Sequence, residues 1–115
     1  AIDEQNFEPN DPRLAVRYSN LAMMLTDLGG ASNLEAAKGR MEQAIAIQEE
    51  QFEPNDPRLA VSYTNLAFIE LDLGNRESAC DLWRQAYAIF GQHFSPTHRY
   101  VQIVAEALER HCGDC

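Results

Sequence analysis

Residues 52–74 read FEPNDPRLAVSYTNLAFIELDLG, and residues 7–29 read FEPNDPRLAVRYSNLAMMLTDLG. The two stretches are identical at 17 of 23 positions, and their spacing along the chain is 45 residues. Similarity at a fixed period of this size indicates repeats that bury their apolar faces against their neighbours. The duplication therefore predicts a tandem-repeat fold.

Each copy has the pattern of an amphipathic helix with a defined start and end. In the first copy, Asn10 and Asp11 can accept hydrogen bonds from the free N–H groups of a helix start, and Pro12 suits the first helical position. Apolar residues then recur at spacings of three and four: Leu14, Tyr18, Leu21, Ala22 and Leu25. Gly29-Gly30 follow and can end the helix. The pattern predicts a helix over 12–28, and in the second copy a helix from Asp56-Pro57 to about Leu73-Gly74.

A second helix is predicted after each copy. Asn33 is expected to cap a helix over 34–50, and Asn75 is expected to cap the helix that follows it. The inner stripe of the helix after Asn75 is predicted to contain Ala79, Leu82, Trp83, Ala86, Tyr87 and Phe90. The first hairpin is three residues longer than the second, around 30–32. We expect these residues to lengthen the loop, because loops tolerate insertions at little cost.

The repeat pattern extends beyond both copies. Residues 1–6 read AIDEQN and correspond to AIQEEQ at 46–51. The chain is therefore expected to open inside the second helix of an earlier repeat and to be a piece of a longer array. At 94–101, FSPTHRYV opens a third copy and predicts a helix over about 97–111. Glu109 stands there in place of Ala67, as expected where the outer face of a terminal helix meets water.

Small and large residues recur at the spacing of a known repeat signature. They are Leu66, Ala67, Gly74, Ala79, Trp83 and Ala86 in the second copy, and Leu21, Ala22, Gly29, Ala37, Met41 and Ala44 in the first. In these residues the chain resembles the tetratricopeptide repeat family, and NDPRLAVSYTNLA is similar to the long repeats of kinesin light chains. The alanines are expected to allow close helix packing, with Met41 and Trp83 filling the space beside them.

The resemblance implies an all-α fold, a right-handed α-solenoid of antiparallel helix hairpins. We expect five main helices and a partial N-terminal helix turn. The predicted segments are the end of a preceding repeat at 1–6, repeats at 7–51 and 52–93, and a capping helix with its tail at 94–115. Glu70 departs from the family pattern, which usually has an aromatic residue there. A surface carboxylate is the favoured interpretation; a buried Glu70 would need a cationic or hydrogen-bonding partner.

Composition limits the partners and the location. The chain has 115 residues with 18 acidic and 9 basic side chains, for a formal net charge of −9. This charge repels phosphate backbones and argues against nucleic acid. No apolar run approaches the roughly 18 residues that span a bilayer, so we expect no membrane partner. The three cysteines, Cys80, Cys112 and Cys115, do not suggest a disulfide framework, which favours the cytoplasm.

One face of the first helix of each repeat is the candidate binding surface. The resemblance implies that these helices line the concave side of the superhelix, where a groove could hold an extended peptide. The candidate residues are Ser19, Asn20, Met23 and Asp27, then Thr64, Asn65, Phe68 and Asp72, then Glu106 and Arg110. The asparagines could bond a peptide backbone, Met23 and Phe68 could seat an apolar side chain, and the carboxylates favour a basic peptide. Alternatively, these asparagines only bond to neighbouring helices and Met23 and Phe68 are ordinary core.

No catalytic or cofactor site is predicted. The C-terminal HCGDC places Cys112 and Cys115 at zinc-ligand spacing, but a structural site needs four ligands and no second pair is present. Cys80 is expected to be a small packing residue. No nucleophile–base pattern or phosphate loop occurs. We therefore expect no enzyme activity, no metal and no cofactor.

Two classes of function remain open. The first is a protein–protein interaction module, a scaffold or adaptor that binds a peptide or protein segment on the concave face. The second is a structural spacer, or an arm that self-associates through exposed repeat ends, in a larger multidomain protein.

Overall fold

The structure, a computed structural model, describes residues 11–113 without the side chain of Pro12. These residues form five α-helices and no strand: α1 Pro12–Leu28, α2 Ala31–Gln51, α3 Pro57–Asp72, α4 Arg76–His93 and α5 Arg99–Cys112. The predicted all-α helical repeat with five main helices is confirmed. The helix turn predicted within 1–6 lies outside the described residues.

The helices belong to two compact units that divide between Pro54 and Asn55. The first unit contains the hairpin α1–α2. The second contains α3, α4 and α5, and α4 packs against both of its neighbours.

The repeated Asp-Pro-Arg sequence starts α1 and α3 in the same way. Asp11 and Asp56 are the N-caps, and each accepts a hydrogen bond of 2.8 Å on Oδ1 from the backbone N–H two residues later. The arginine side chain folds back on the same carboxylate: Arg58 donates from Nε to Oδ1 of Asp56 at 3.0 Å and from its second terminal nitrogen to Oδ2 at 2.7 Å. The predicted aspartate capping is confirmed.

These hydrogen bonds favour the ionised form of both caps. Bonds from the Arg13 side chain and then from its backbone N–H lower the pKa of Asp11 to about 2. The hydrogen bond from the Arg58 side chain likewise holds the pKa of Asp56 below its ordinary value. A carboxylate at a helix N-terminus also interacts favourably with the helix dipole.

The three extra residues of the first hairpin are helical, contrary to the prediction of a longer loop. Helix α2 begins at Ala31, not at residue 34, and has 21 residues against 18 in α4. Gly29 and Gly30 alone make the turn, both at positive φ. Asn33 therefore lies inside the helix and is not its cap; its Nδ2 donates to the Gly29 carbonyl oxygen at 2.8 Å. Two glycines can turn the chain without a longer loop because φ above zero costs them little.

The second hairpin differs from the prediction in the roles of Asn75 and Glu70. Asn75 occupies the N-cap position of α4, but its side chain makes no capping bond. Instead its Nδ2 donates to Glu70 Oε1 at 2.9 Å, and its backbone N–H donates to the Glu70 carbonyl oxygen at 2.8 Å. Glu70 is buried, so the expectation of a surface carboxylate was wrong. The asparagine supplies a hydrogen bond that a buried carboxylate requires.

Alanines and large side chains form the core of the second unit, as predicted, except that Tyr87 of the predicted stripe is exposed. Ala60 and Ala67 of α3 and Ala79 and Ala86 of α4 are fully buried in one cluster. The same cluster contains Trp83, Phe90, Val101, Val104 and Leu108. In the first unit, Leu14, Ala15, Ala44 and Ile47 form the corresponding buried cluster.

The third copy begins its helix with different chemistry. Helix α5 starts at Arg99, two residues later than predicted, and ends before Gly113, which has the left-handed conformation. His98 stands where the earlier copies have aspartate and is the N-cap: its Nδ1 accepts from the Tyr100 backbone N–H at 3.1 Å. Glu109 is exposed, as the capping-helix prediction required.

Substitutions at Asp56 test the helix cap. Asp56→Ala removes the capping oxygen and should lower the free energy of unfolding by about 1 kcal/mol at pH 7. Asp56→Asn should cost less, because asparagine caps as well as aspartate does. Urea denaturation followed by far-ultraviolet circular dichroism measures both. Equal losses in the two variants would contradict a capping role.

The pH dependence of the stability of Asp56→Asn tests whether the negative charge of Asp56 stabilises the fold. Folding lowers the pKa of Asp56, so its carboxylate stabilises the fold above the unfolded pKa, near 3.9, and this stabilisation is lost as pH falls through the lowered value. The stability difference between wild type and Asp56→Asn should therefore be constant near neutral pH and shrink below about pH 4. A difference that grows on acidification would contradict the lowered pKa.

Substitution of Ala67 tests the close packing of α3 on α4. Ala67→Leu adds three carbons at a fully buried position and should lower the free energy of unfolding by about 1–3 kcal/mol. Ala88→Leu, at an exposed position of α4, is the matched control and should change stability little. Similar denaturation midpoints for both variants would show that the core has room at residue 67.

Candidate functional site

A groove between α3 and α5 is the candidate site of the second unit. Its volume is about 180 Å³. Its lining is mostly apolar and comes from three helices: Val61, Thr64, Asn65 and Phe68 of α3, Phe90 of α4, and Tyr100, Ile103 and Val104 of α5. We call it the α3–α5 groove.

The groove has a buried floor and exposed rims. Phe90 and Val104 are buried in the core cluster. Phe68, Tyr100 and Ile103 are 40%, 40% and 36% exposed. Tyr100 stacks on Phe90 with ring centroids 5.2 Å apart. The rims therefore offer apolar surface to solvent while the floor holds them in place.

A second hollow of about 180 Å³ shares Phe68 and Ile103 with the groove and is further lined by Glu106, Ala107, Arg110 and His111. Glu106 and Arg110 form an ion pair of 3.0 Å in which both side chains are about two-thirds exposed. Such an exposed pair contributes little to stability. It does compensate the charge of Glu106 beside the groove.

Phe68 is fixed from behind by an aromatic stack. Its ring meets the buried Trp83 edge-on, with centroids 5.1 Å apart and planes at 72°. Trp83 in turn stacks against His111 at 5.7 Å and 22°. The Trp83 indole Nε1–H is buried and has no hydrogen-bond partner among the described residues. A buried donor without a partner destabilises the fold, so packing around this ring must outweigh that cost.

Five of the predicted site residues meet at this site: Thr64, Asn65, Phe68, Glu106 and Arg110. Thr64 is placed differently from the prediction. It is buried, and its hydroxyl donates to the Ala60 carbonyl oxygen at 2.8 Å, so it shapes the wall without offering a donor. Asp72 is exposed on α3 but lines neither hollow.

The remaining predicted residues belong to the first unit. Ser19, Asn20, Met23 and Asp27 all lie on α1. Asn20, Met23 and Asp27 are exposed and Ser19 is half-buried.

Tyr100 and Phe90 were missed by the sequence prediction. A signal for Tyr100 was present, because the third copy has tyrosine where the second has Arg58. In the second copy the Arg58 side chain donates a hydrogen bond to the aspartate cap. With His98 as the cap, this position instead carries an aromatic ring 5.2 Å from the His98 ring.

The cysteine prediction was wrong. Cys80 and Cys112 form a disulfide that joins α4 to the last residue of α5. Cys80 is buried, and Cys112 is half-buried. The sequence did contain a signal for this pairing, because both cysteines are 16 residues from Pro96 in the connecting loop. In an antiparallel pair of helices, residues equally far from the connecting loop lie side by side. The disulfide removes the main argument for a cytoplasmic location, which stays a prediction.

Comparison with known families finds one matching family model in the second unit. Residues 59–100 match the family model described as tetratricopeptide repeat. This stretch, less than half of the chain, is similar to the tetratricopeptide repeat. The matched stretch covers most of α3, all of α4 and the start of α5, and therefore most of the groove lining. No curated protein matches the chain.

Tetratricopeptide repeats in general mediate protein–protein interactions and are typically not enzymes. The described residues include no group of three or more side chains placed to hold a metal ion. Among the helices of the described region, none is long and apolar enough to cross a membrane.

Proposed function

We propose that the second unit binds a segment of another protein in the α3–α5 groove. The supporting observation is the cluster of exposed apolar side chains at its rims, Phe68, Tyr100 and Ile103. Apolar residues gathered in a concave lining mark binding sites more often than the same residues scattered singly. The repeat therefore has a surface suited to seat one apolar side chain of a partner.

Asn65 can recognise the backbone of that segment. It is half-buried in the groove wall, and its side-chain amide makes no hydrogen bond to the described residues. An amide offers donors and an acceptor. An extended peptide lying along α3 could bond to it through its own N–H and C=O groups while an adjacent side chain enters the groove.

Charge favours a partner with basic residues outside the apolar anchor. The chain carries a formal net charge of −9, and Asp72 is exposed on the groove helix α3. Glu106 contributes less than the sequence predicted, because it is paired with Arg110. We therefore propose an extended segment with one apolar anchor and flanking lysines or arginines. The kinesin-light-chain-like subtype and a scaffold role belong to the same proposal.

Selection from a displayed random-peptide library tests the groove. Phe68→Ala should weaken the tightest recovered peptide by about tenfold or more, since central aromatic anchors dominate binding energy. Asn65→Ala should weaken it less, because one neutral hydrogen bond contributes about 1 kcal/mol. Isothermal titration calorimetry measures the affinities, and circular dichroism verifies that the variants stay helical.

Two control substitutions lie on α4 outside the groove. Tyr87→Ala removes an aromatic ring that is 44% exposed, similar to Phe68, and Gln85→Ala removes an exposed amide. Both should leave the affinity within about twofold of wild type. If all four variants bind the peptide equally well, the binding site is elsewhere.

A second candidate function is self-association through α1. Leu21, Met24 and Leu28 follow one another at helical spacing, and Met24 and Leu28 are 62% and 73% exposed. This apolar stripe on the first unit supports an arm that pairs with a second copy of the chain. A spacer without any partner would have no use for it.

Substitution of Met24 by lysine tests self-association. Light scattering across a range of concentrations should show wild-type chains associating, and Met24→Lys should shift the midpoint to higher concentration by about tenfold or more, because charge is depleted at interface cores. Gln85→Lys adds the same charge on α4 and should have no effect. A wild-type protein that remains monomeric at all concentrations would exclude this candidate.

A further inference from the structure

We propose that the Cys80–Cys112 disulfide is a redox-sensitive clasp that regulates the α3–α5 groove by holding α5 against α4. The proposal rests on the function proposed above, because it concerns the same groove. Its structural part, control of α5 by the disulfide, is independent of any ligand.

The position of the disulfide links it to the groove wall. It joins α4 to the last residue of α5. Helix α5 supplies Tyr100, Ile103 and Val104 to the groove. A cross-link limits the separation of the parts that it joins, so the intact disulfide holds the C-terminal end of α5 to α4, while the connection at 94–98 holds the other end.

Direct contacts continue from the disulfide to the apolar anchor. His111 precedes Cys112 in the chain and stacks on Trp83, and Trp83 packs edge-on against Phe68. His111 and Phe68 also line the same hollow. When the end of α5 separates from α4, His111 leaves Trp83, and Phe68 loses part of its support. Helix α5 is thus an element with a docked and an undocked state, which both the disulfide and a bound peptide can bias.

A reductant can reach the bond from one side. An open hollow of about 810 Å³ is lined by Cys80 and Cys112 together with Arg84, Glu109 and His111. Cys112 is half-buried while Cys80 is buried. Thiol–disulfide exchange requires an attacking thiolate to approach one sulfur along the bond. Because Cys112 is the more exposed of the two residues, we expect the attack at its Sγ.

The redox step needs a reductant of the dithiol class. A thiolate of the reductant attacks Sγ of Cys112, and Cys80 leaves as a thiolate that takes a proton from water. The second thiol of the reductant, as its thiolate, then attacks the mixed disulfide, so that Cys112 leaves as a thiolate and is protonated. Two electrons and two protons pass to the protein, and the dithiol becomes a disulfide. An oxidised disulfide of the same class reverses the reaction.

Hydrogen exchange measured by mass spectrometry tests the clasp without a ligand. Cys115→Ser is the background, since it leaves Cys80–Cys112 as the one intramolecular pair that the sequence allows. Reduction by dithiothreitol should accelerate amide exchange in the last two turns of α5 by at least about tenfold, while exchange in α1 and α2 stays unchanged. Emission of Trp83, the single tryptophan, should change on reduction as His111 leaves the ring.

A second variant removes any direct effect of the reductant. Cys112→Ser with Cys115→Ser cannot form the bond and should show the fast exchange of α5 without dithiothreitol. If α5 exchanges equally slowly in the oxidised, reduced and Cys112→Ser proteins, the disulfide does not hold the helix and the proposal is overturned.

Binding of the library-selected peptide distinguishes a failure of the redox proposal from a failure of the proposed binding site. The reduced protein should bind it about fivefold or more weakly than the oxidised protein. By reciprocity, saturating peptide should raise the fraction of protein that stays oxidised at a given ratio of reduced to oxidised dithiothreitol, by the same factor. Equal affinity in both redox states, with Phe68→Ala still harmful, would overturn the regulation and leave the groove intact. Peptide binding insensitive to Phe68→Ala would reject the groove, while the exchange experiment would still decide whether the disulfide holds α5.

Discussion

Helices α3 and α4 can approach each other closely because alanines line their contact, and the rest of the second unit depends on this approach. Ala60, Ala67, Ala79 and Ala86 are all fully buried in one cluster. With so little side-chain volume between the backbones, Trp83 and Phe90 fill the remaining space and are themselves buried. Dense packing of this kind leaves large side chains few alternative positions, which is why two rings of α4 can act as fixed supports.

The two supports determine where the groove lies. Trp83 packs against Phe68 and Phe90 packs against Tyr100, so the two aromatic rim residues both rest on buried rings of α4. Without such supports, an exposed apolar side chain would sample several rotamers and would lose that freedom when a partner binds. Here that freedom is already restricted by the core, and a partner has less ordering cost to overcome. The same arrangement makes the rims sensitive to any change in how α5 docks.

The sequence predicted what depends on periodicity and missed what depends on tertiary pairing. Helix type, the aspartate caps and the alanine core followed from spacing and local chemistry, and Asn65, Phe68, Glu106 and Arg110 were assigned to a shared surface that the second unit does bring together. Glu70 was misjudged because the usual exposure of glutamate says nothing about a partner such as Asn75. The Cys80–Cys112 bond was missed because counting cysteines ignores which turns of antiparallel helices face each other.

The turn at Gly29-Gly30 has a consequence for how such repeats vary in length. The additional residues extend α2 at its first turn by roughly 4.5 Å, and the buried positions Ala37, Met41 and Ala44 keep the spacing of their counterparts Ala79, Trp83 and Ala86. An insertion of nearly one helical turn thus preserves the face that points inward, whereas one or two residues would rotate it. Hairpin tips of this kind are therefore natural points for length polymorphism in steps of three or four residues, and suitable places for grafting a short epitope.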